Sequence, residues 1–195
     1  MRRGAIAAGP IRETATMAQG VRGYAAWSPD RRYRWALRRC WDGPAGAPEM
    51  VWVMLNPSTA GADRDDATIR RCVWYARREG CTAMTAVNLF GLVSTSPRAL
   101  LADPDPVGEL CDQAITDACT ARDVASPAPR IVVVGWGAQA GHPRLRCRAD
   151  AVLDMLDGHH IGYWALGLST QGQPVHPLRQ PRTAQLGVMG AGSPV

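Results

Sequence analysis

The sequence contains no lysine, and all 22 of its basic residues are arginine. A chain without lysine cannot form a Schiff base on a lysine side chain or attach pyridoxal phosphate there, and it lacks the phosphate-binding lysine of a P-loop. The net charge is nevertheless +5. A basic surface suits a phosphate-rich partner, although it is equally common as a plainly solvated surface.

The six cysteines include no Cys-x-x-Cys pair, and no apolar run approaches the length of a membrane span. Such a span needs ~20 apolar residues. Scattered cysteines argue against a zinc site or an iron–sulfur cluster and favour reduced thiols in the cytoplasm. The sequence therefore predicts a cytoplasmic protein with no membrane partner and no cofactor.

A chain of 195 residues is long enough to bury one core, and it fits a single domain. The glycine- and proline-containing ends predict a disordered leader over residues 1–20 and a flexible tail over residues 183–195. The α/β domain is expected between them, over residues 21–182.

Apolar strands and amphipathic helices alternate along the chain. Strands are predicted at about 50–55, 82–88, 131–134 and 161–166, and helices at about 66–79, 107–121 and 144–157. A period of two around residues 33–38 predicts a further, half-exposed strand or hairpin at a sheet edge. The expected fold is an α/β three-layer sandwich with a four-stranded, mainly parallel sheet and this N-terminal edge strand or hairpin.

Polar or glycine-rich segments follow each of these strands directly. They are Asn56, Asn88, Gly135-Trp136-Gly137 and the loop that contains His176. The carboxyl ends of parallel strands meet at one edge of a sheet, where ligands bind in open α/β folds. We therefore expect these separate segments to converge on one site.

Several motifs are shared with a known family. They are Asn56-Pro57-Ser58-Thr59-Ala60, Asp65-Asp66-Ala67-Thr68-Ile69-Arg70-Arg71-Cys72, Val87-Asn88-Leu89-Phe90, Asp105-Pro106-Val107-Gly108, Gly135-Trp136-Gly137 and His176-Pro177-Leu178. Over roughly residues 30–182, the chain resembles the domain of unknown function 1643 family.

A looser likeness implies an activity. The order of Asn-Pro, Asn-Leu, Gly-Trp-Gly and His-Pro-Leu after successive strands is similar to the motifs of the uracil-DNA glycosylase superfamily. This resemblance implies a fold of that kind, with Asn56 orienting the attacking water, Asn88 reading the base and His176 stabilising the departing base anion. Because lysine is absent, such an N-glycosylase would be monofunctional.

Further residues are candidates for contacts with a nucleobase in DNA or with a nucleotide. Phe90 or Trp136 is predicted to stack on the base. The remaining substrate-binding candidates are Ser58, Thr59 and Gly137, and the phosphate-binding candidates are Arg70 and Arg71.

Two alternatives remain open on the sequence alone. Asp63, Asp65 and Asp66 can hold Mg²⁺ for phosphoester hydrolysis, or Asp65 and Asp66 can cap the following helix. The protein can also be a non-catalytic module that binds a nucleic acid or a nucleotide through its arginines.

Overall fold

The computed structural model describes residues 9–120 and 128–190. The strands within these ranges are β1 (Ile11–Thr16), β2 (Arg22–Trp27), β3 (Arg34–Cys40), β4 (Glu49–Met54), β5 (Ala83–Asn88), β6 (Arg130–Val134), β7 (Tyr163–Ala165) and β8 (Gly187–Val188). The α-helices within them are α1 (Ala67–Arg78), α2 (Arg98–Ala102), α3 (Cys111–Thr120) and α4 (Pro143–Gly158).

These strands form one mixed sheet in the order β1-β2-β3-β5-β4-β6-β7-β8. Strand β4 pairs in parallel with β5 and β6, and β6 pairs in parallel with β7. The antiparallel strands β1, β2 and β3 extend the sheet beyond β5, and β8 extends it beyond β7. The predicted four-stranded sheet with one edge strand or hairpin is thus too small, because both ends of the chain add strands.

The helices cover both faces of the sheet because strand side chains alternate in direction. Strand β4 is buried throughout. Its Trp52 packs with α1 in one core cluster, whereas Val51 and Val53 pack with α3 and α4 in the other. Helix α1, which follows β4, and helix α4, which follows the neighbouring strand β6, therefore lie on opposite faces of the sheet. This reversal creates a crevice between the carboxyl ends of the two strands.

Both ends of the chain contain more structure than the sequence predicted. Residues 11–16, expected in the disordered leader, form β1 and pair along its whole length with β2. Residues 187–188, expected in the flexible tail, form β8 against β7. Hydrogen bonding to an existing sheet edge stabilises both segments, which local composition does not reveal. Residues 1–8 and 191–195 of these predicted ends lie outside the described residues.

Helix α1 has nearly the predicted length, but α3 is shorter at its start. Asp66 caps α1 by accepting a hydrogen bond from the backbone N–H of Ile69 at 2.9 Å. Before α3, the carboxylate of Asp105 accepts the N–H of Gly108 at 2.9 Å, and Gly108 has a φ of 77°. This turn holds the chain out of helical geometry until Cys111, whereas the predicted helix began at 107.

Strand β3 is not the half-exposed edge strand that its alternation predicted. It lies between β2 and β5, and its residues Arg34 and Arg39 are 3% and 0% exposed. The register with β2 also shifts, because Ala26 pairs with Ala36 but Trp27 pairs with Arg34. Trp35 is therefore an extra residue, and such a bulge redirects the side chain beside it.

Within the described ranges, no helix is both long enough and apolar enough to span a membrane. All six cysteines are free thiols. Four of them are buried, and burial raises the pKa of each of these thiols, as at Cys81, where the pKa rises to about 12.

Candidate functional site

A cavity of about 170 Å³ lies at the carboxyl ends of β4, β5 and β6. Six of the residues singled out in the sequence line it, namely Asn56, Ser58, Asp66, Asn88, Trp136 and His176. The other polar side chains around it are Arg34, Thr68, Ser94, Thr95 and Gln139. The expectation that separate strand ends converge is confirmed by Asn56, Asn88, Trp136 and His176, which line one cavity.

Backbone hydrogen bonds hold the strand ends together beyond the regular sheet. The N–H groups of Leu89 and Phe90 donate to the carbonyls of Met54 and Leu55 at 2.8 and 3.0 Å. The N–H of Gly135 donates to the carbonyl of Val53 at 2.9 Å. The loops that carry the cavity residues therefore leave the sheet from fixed positions.

The amide of Asn56 is held in one orientation. Its Nδ2 donates to the backbone carbonyls of Pro57 at 2.9 Å and Ser94 at 2.8 Å. Both amide hydrogens are thereby used, so Oδ1 is the group of this side chain that can accept a hydrogen bond from a ligand or a water.

Asn88, the last residue of β5, is 3% exposed. Its Nδ2 is buried and has no hydrogen-bond partner among the described residues. A buried donor without an acceptor is costly, and native structures contain few of them. The Nδ2 of Asn88 is therefore a donor in need of an acceptor, on a residue that lines the cavity.

His176 precedes a short 3₁₀ helix and caps it. Its Nδ1 accepts a hydrogen bond from the backbone N–H of Leu178 at 3.3 Å. In the neutral ring the proton therefore resides on Nε2, which is left as a donor. Burial lowers the pKa of His176, and the charge of Arg179 lowers that pKa further, against an opposing effect of Asp66. The neutral form is thus favoured near neutral pH.

The Gly-Trp-Gly loop positions His176. The N–H of Gly137 donates to the carbonyl of Pro174 at 2.8 Å. Gly137 has a φ of 86°, and a Cβ added there would lie 3.2 Å from the Cβ of His176. The predicted substrate-binding role of Gly137 stays a prediction; what the structure shows is that this glycine lets the two loops pack together.

Arg71 anchors the same loop from helix α1. Its guanidinium donates to the backbone carbonyl of Gln180 at 2.6 Å and to that of Pro177 at 3.4 Å. These contacts use the Nη1 of the guanidinium and anchor the loop behind His176, while the phosphate-binding role of Arg71 stays a prediction. Arg70 is exposed outside the cavity and donates to the carbonyl of Asp65 at 2.7 Å.

The two stacking candidates differ in position. The ring of Trp136 lines the cavity, is 2% exposed and is fixed by a hydrogen bond from Nε1 to Gln173 at 2.8 Å. Phe90 is buried in the core on the α3 and α4 side and does not line the cavity. Thr59 is exposed outside the cavity as well.

The three aspartates do not form a metal cluster. Asp65 pairs with the fully buried Arg39 at 2.7 Å, and Asp66 caps α1 while it lines the cavity. Asp63 is exposed. Over residues 9–120 and 128–190, no three His, Cys, Asp or Glu side chains are grouped to hold a metal ion. The capping alternative is therefore confirmed for Asp66, and Asp65 instead holds Arg39.

Sequence reasoning missed Arg34, which also lines the cavity. Its Nη1 donates to the carbonyl of Ala60 at 2.6 Å, and its Nε is buried without a partner among the described residues. Regular alternation along β3 would put Arg34 on the same face as Ala36 and Arg38. The bulge at Trp35 reverses that assignment, and a one-residue bulge leaves no recognisable pattern in a single sequence.

The part of the chain that forms the cavity also carries the match to known sequences. Residues 34–178 match the family described as protein of unknown function (DUF1643). The chain belongs to this family. Every residue that lines the cavity falls inside the DUF1643 segment, whereas β1, β2 and β8 lie outside it. No curated protein matches the sequence.

The lowered pKa of His176 predicts a pH-dependent stability. The unfolded chain binds a proton near the ordinary value of 6.5, but the folded protein binds it only at lower pH. The contribution of neutral His176 to the free energy of unfolding is therefore complete above the ordinary pKa of 6.5. It is lost as the pH falls through the lower pKa of the folded protein. Urea unfolding at several pH values should show wild type losing more stability on acidification than His176→Gln. Equal losses in both proteins would contradict the prediction.

Proposed function

We propose that this DUF1643 protein recognises a nucleobase, in DNA or in a nucleotide, and releases it as a monofunctional N-glycosylase. The single observation that carries the proposal is the cavity at the strand ends, where Asn56, Asn88 and His176 meet beside Trp136. The likeness of the motif order to the uracil-DNA glycosylase superfamily supports the same reading.

The size of the cavity suits one base. Its volume is about 170 Å³. Pockets for larger ligands usually measure ~300–1,000 Å³. A single ring therefore fits inside, whereas the sugar and phosphate of a nucleotide would remain at the rim, beside residues such as Ser58 and Gln139.

The donors and acceptors suit hydrolysis of an N-glycosidic bond. Cleavage of that bond moves its electron pair onto the base and leaves positive charge on the sugar. The Nε2–H of His176 can donate to the base as this negative charge develops. The Oδ1 of Asn56 can orient the water whose oxygen attacks the sugar, and the proton released from that water balances the charge on the base.

The proposal is tested by the formation of abasic sites. The purified protein is incubated with single-stranded and duplex oligonucleotides that carry uracil or another modified base, and abasic sites are detected by alkaline cleavage. Wild type is expected to form them. Asn56→Ala is expected to reduce the rate by about 10²-fold or more, because the water loses its orienting acceptor.

Asn56→Asp is a useful companion variant, since it keeps an acceptor oxygen on the side chain although it loses the two hydrogen bonds that Nδ2 donates to the carbonyls of Pro57 and Ser94. It should retain more activity than Asn56→Ala, and circular dichroism should show that both variants are folded. A wild-type protein that forms no abasic site and binds no oligonucleotide would overturn the proposal. Salt-dependent binding without a product would instead support the non-catalytic module.

A further inference from the structure

Two buried donors without partners among the described residues belong to side chains of residues that line the cavity. They are the Nε of Arg34 and the Nδ2 of Asn88, and both side chains are 3% exposed. The remaining such atom among the described residues, the Nε1 of Trp52, belongs to a residue that does not line the cavity. Because buried donors demand acceptors, these two side chains favour a ligand that brings acceptor atoms to them.

Arg34 also brings a positive charge to the cavity wall. No ion pair within the described ranges involves it. Burial lowers the pKa of Arg34 to about 10, so the guanidinium is still charged at neutral pH. A buried cation is poorly stabilised unless an anion lies beside it.

The surroundings of Arg34 supply only part of that counter-charge. The carboxylate of Asp66 acts on it from the start of α1 and raises its pKa, whereas the neighbouring cation Arg39 lowers that pKa. Arg39 is itself paired with Asp65. The centre of the Trp27 ring lies 5.8 Å from the guanidinium carbon of Arg34. This ring interacts with the cation through its π face but carries no negative charge.

We propose that the cavity binds its ring as an anion, with Arg34 as the countercharge and Asn88 as a second donor. The ligand class is an acidic, oxo-bearing six-membered ring, in which loss of a ring N–H proton spreads negative charge over the adjacent oxygens. This inference rests on the proposed base cavity and adds to it a specificity residue, Arg34, that discriminates between rings by their acidity.

The donors of Arg34 and Asn88 favour an oxo group over an amino group on the ring beside them. An oxo group accepts from Arg34 or Asn88, whereas an exocyclic amino group in the same place would bring two donors together and leave both without an acceptor. In base release, the electron pair of the broken bond converts the base into the same kind of anion. Arg34 would therefore interact more strongly with the departing base than with the intact substrate.

Binding of free rings tests the inference directly. Uracil, 5-fluorouracil and 5-nitrouracil have ring N–H groups of increasing acidity, and 1,3-dimethyl-5-nitrouracil has none. Binding is followed by calorimetry or by tryptophan fluorescence at several pH values. For wild type we expect affinity to increase along the series and to rise as each ring deprotonates. The 5-nitrouracil anion should bind at least about tenfold more tightly than uracil.

Arg34→Gln removes the charge and keeps an amide donor on a shorter side chain. Arg34→Gln should abolish the dependence of binding affinity on ring acidity, whereas Arg34→Lys should keep part of that dependence. Arg32→Gln is the matched control, because Arg32 is a partly exposed arginine two positions away that pairs with Asp103 outside the cavity. If Arg34→Gln does not fold, Asn88→Asp provides a second test, since its carboxylate should repel the ring anion.

Two results would overturn the inference. One is wild-type affinity that is independent of pH and of ring acidity, including the absence of any binding. The other is a folded Arg34→Gln protein that keeps the preference for the anion. Failure of the glycosylase proposal is distinguishable, because a protein that binds ring anions but forms no abasic site contradicts only base release. Base release without a preference for acidic rings contradicts only the role of Arg34.

Discussion

Replacing His176 by alanine is expected to slow the proposed base release by about 10²–10³-fold, as removal of one well-placed donor to a developing anion does in other enzymes. The Nε2–H is the only donor of the neutral ring, because Nδ1 accepts from the backbone N–H of Leu178. The loss should appear mainly in kcat, since charge on the base develops only as the bond breaks. Single-turnover measurements of abasic-site formation check this expectation.

His159→Ala is a suitable control for this experiment. His159 is an exposed histidine at the end of α4, and it does not line the cavity. This variant should retain the wild-type rate. His176→Gln should recover part of the loss if a neutral donor near the Nε2 position is what matters. A folded His176→Ala protein with the wild-type rate would remove His176 from the mechanism.

Arg39→Met is expected to lower the free energy of unfolding by about 3–5 kcal/mol, the usual result of removing one partner from a buried ion pair. Arg39 is fully buried and pairs with Asp65 at 2.7 Å. It also donates to the backbone carbonyls of Gly61 at 2.6 Å and Arg64 at 3.1 Å. The substitution leaves a carboxylate without its countercharge and removes the donor that fixes the loop before α1.

Urea denaturation at neutral pH measures this effect. The double variant Arg39→Met/Asp65→Asn should be more stable than Arg39→Met alone, because it no longer contains the uncompensated charge. Arg12→Met is the matched control, as Arg12 is exposed on β1 and its loss should change stability little. If Arg39→Met changed the free energy of unfolding as little as Arg12→Met does, the buried ion pair would not stabilise the loop.

The local parts of the fold were predictable because they depend on neighbouring residues. The apolar run of β4 and the spacing of apolar residues along α1 gave both elements nearly their observed bounds. The start of α3 was wrong by several residues, since a turn closed by Asp105 and Gly108 overrides helical periodicity there. Strands β1 and β8 were missed because they depend on pairing with distant segments rather than on their own sequence.

The candidate site was predictable only where it depends on the order of the strands and helices. Asn56, Asn88 and His176 follow strands whose parallel arrangement brings their ends to one edge, so their convergence required only the order of elements. Phe90 and Thr59 follow the same strands but lie outside the cavity. Adjacent residues in a loop or strand point in different directions, and sequence position alone cannot decide which of them faces a ligand.

The sequence by itself determined the alternation of strands and helices, the edge of the sheet at which polar residues gather, and the absence of lysine chemistry. Only the tertiary structure decided that Arg71 anchors the loop behind His176, that Asp65 is neutralised by Arg39, and that Arg34 enters the cavity. The physical reason is that periodicity and turn chemistry act between near neighbours. A bulge, a buried ion pair or a long arginine contact is fixed by residues far apart in the chain.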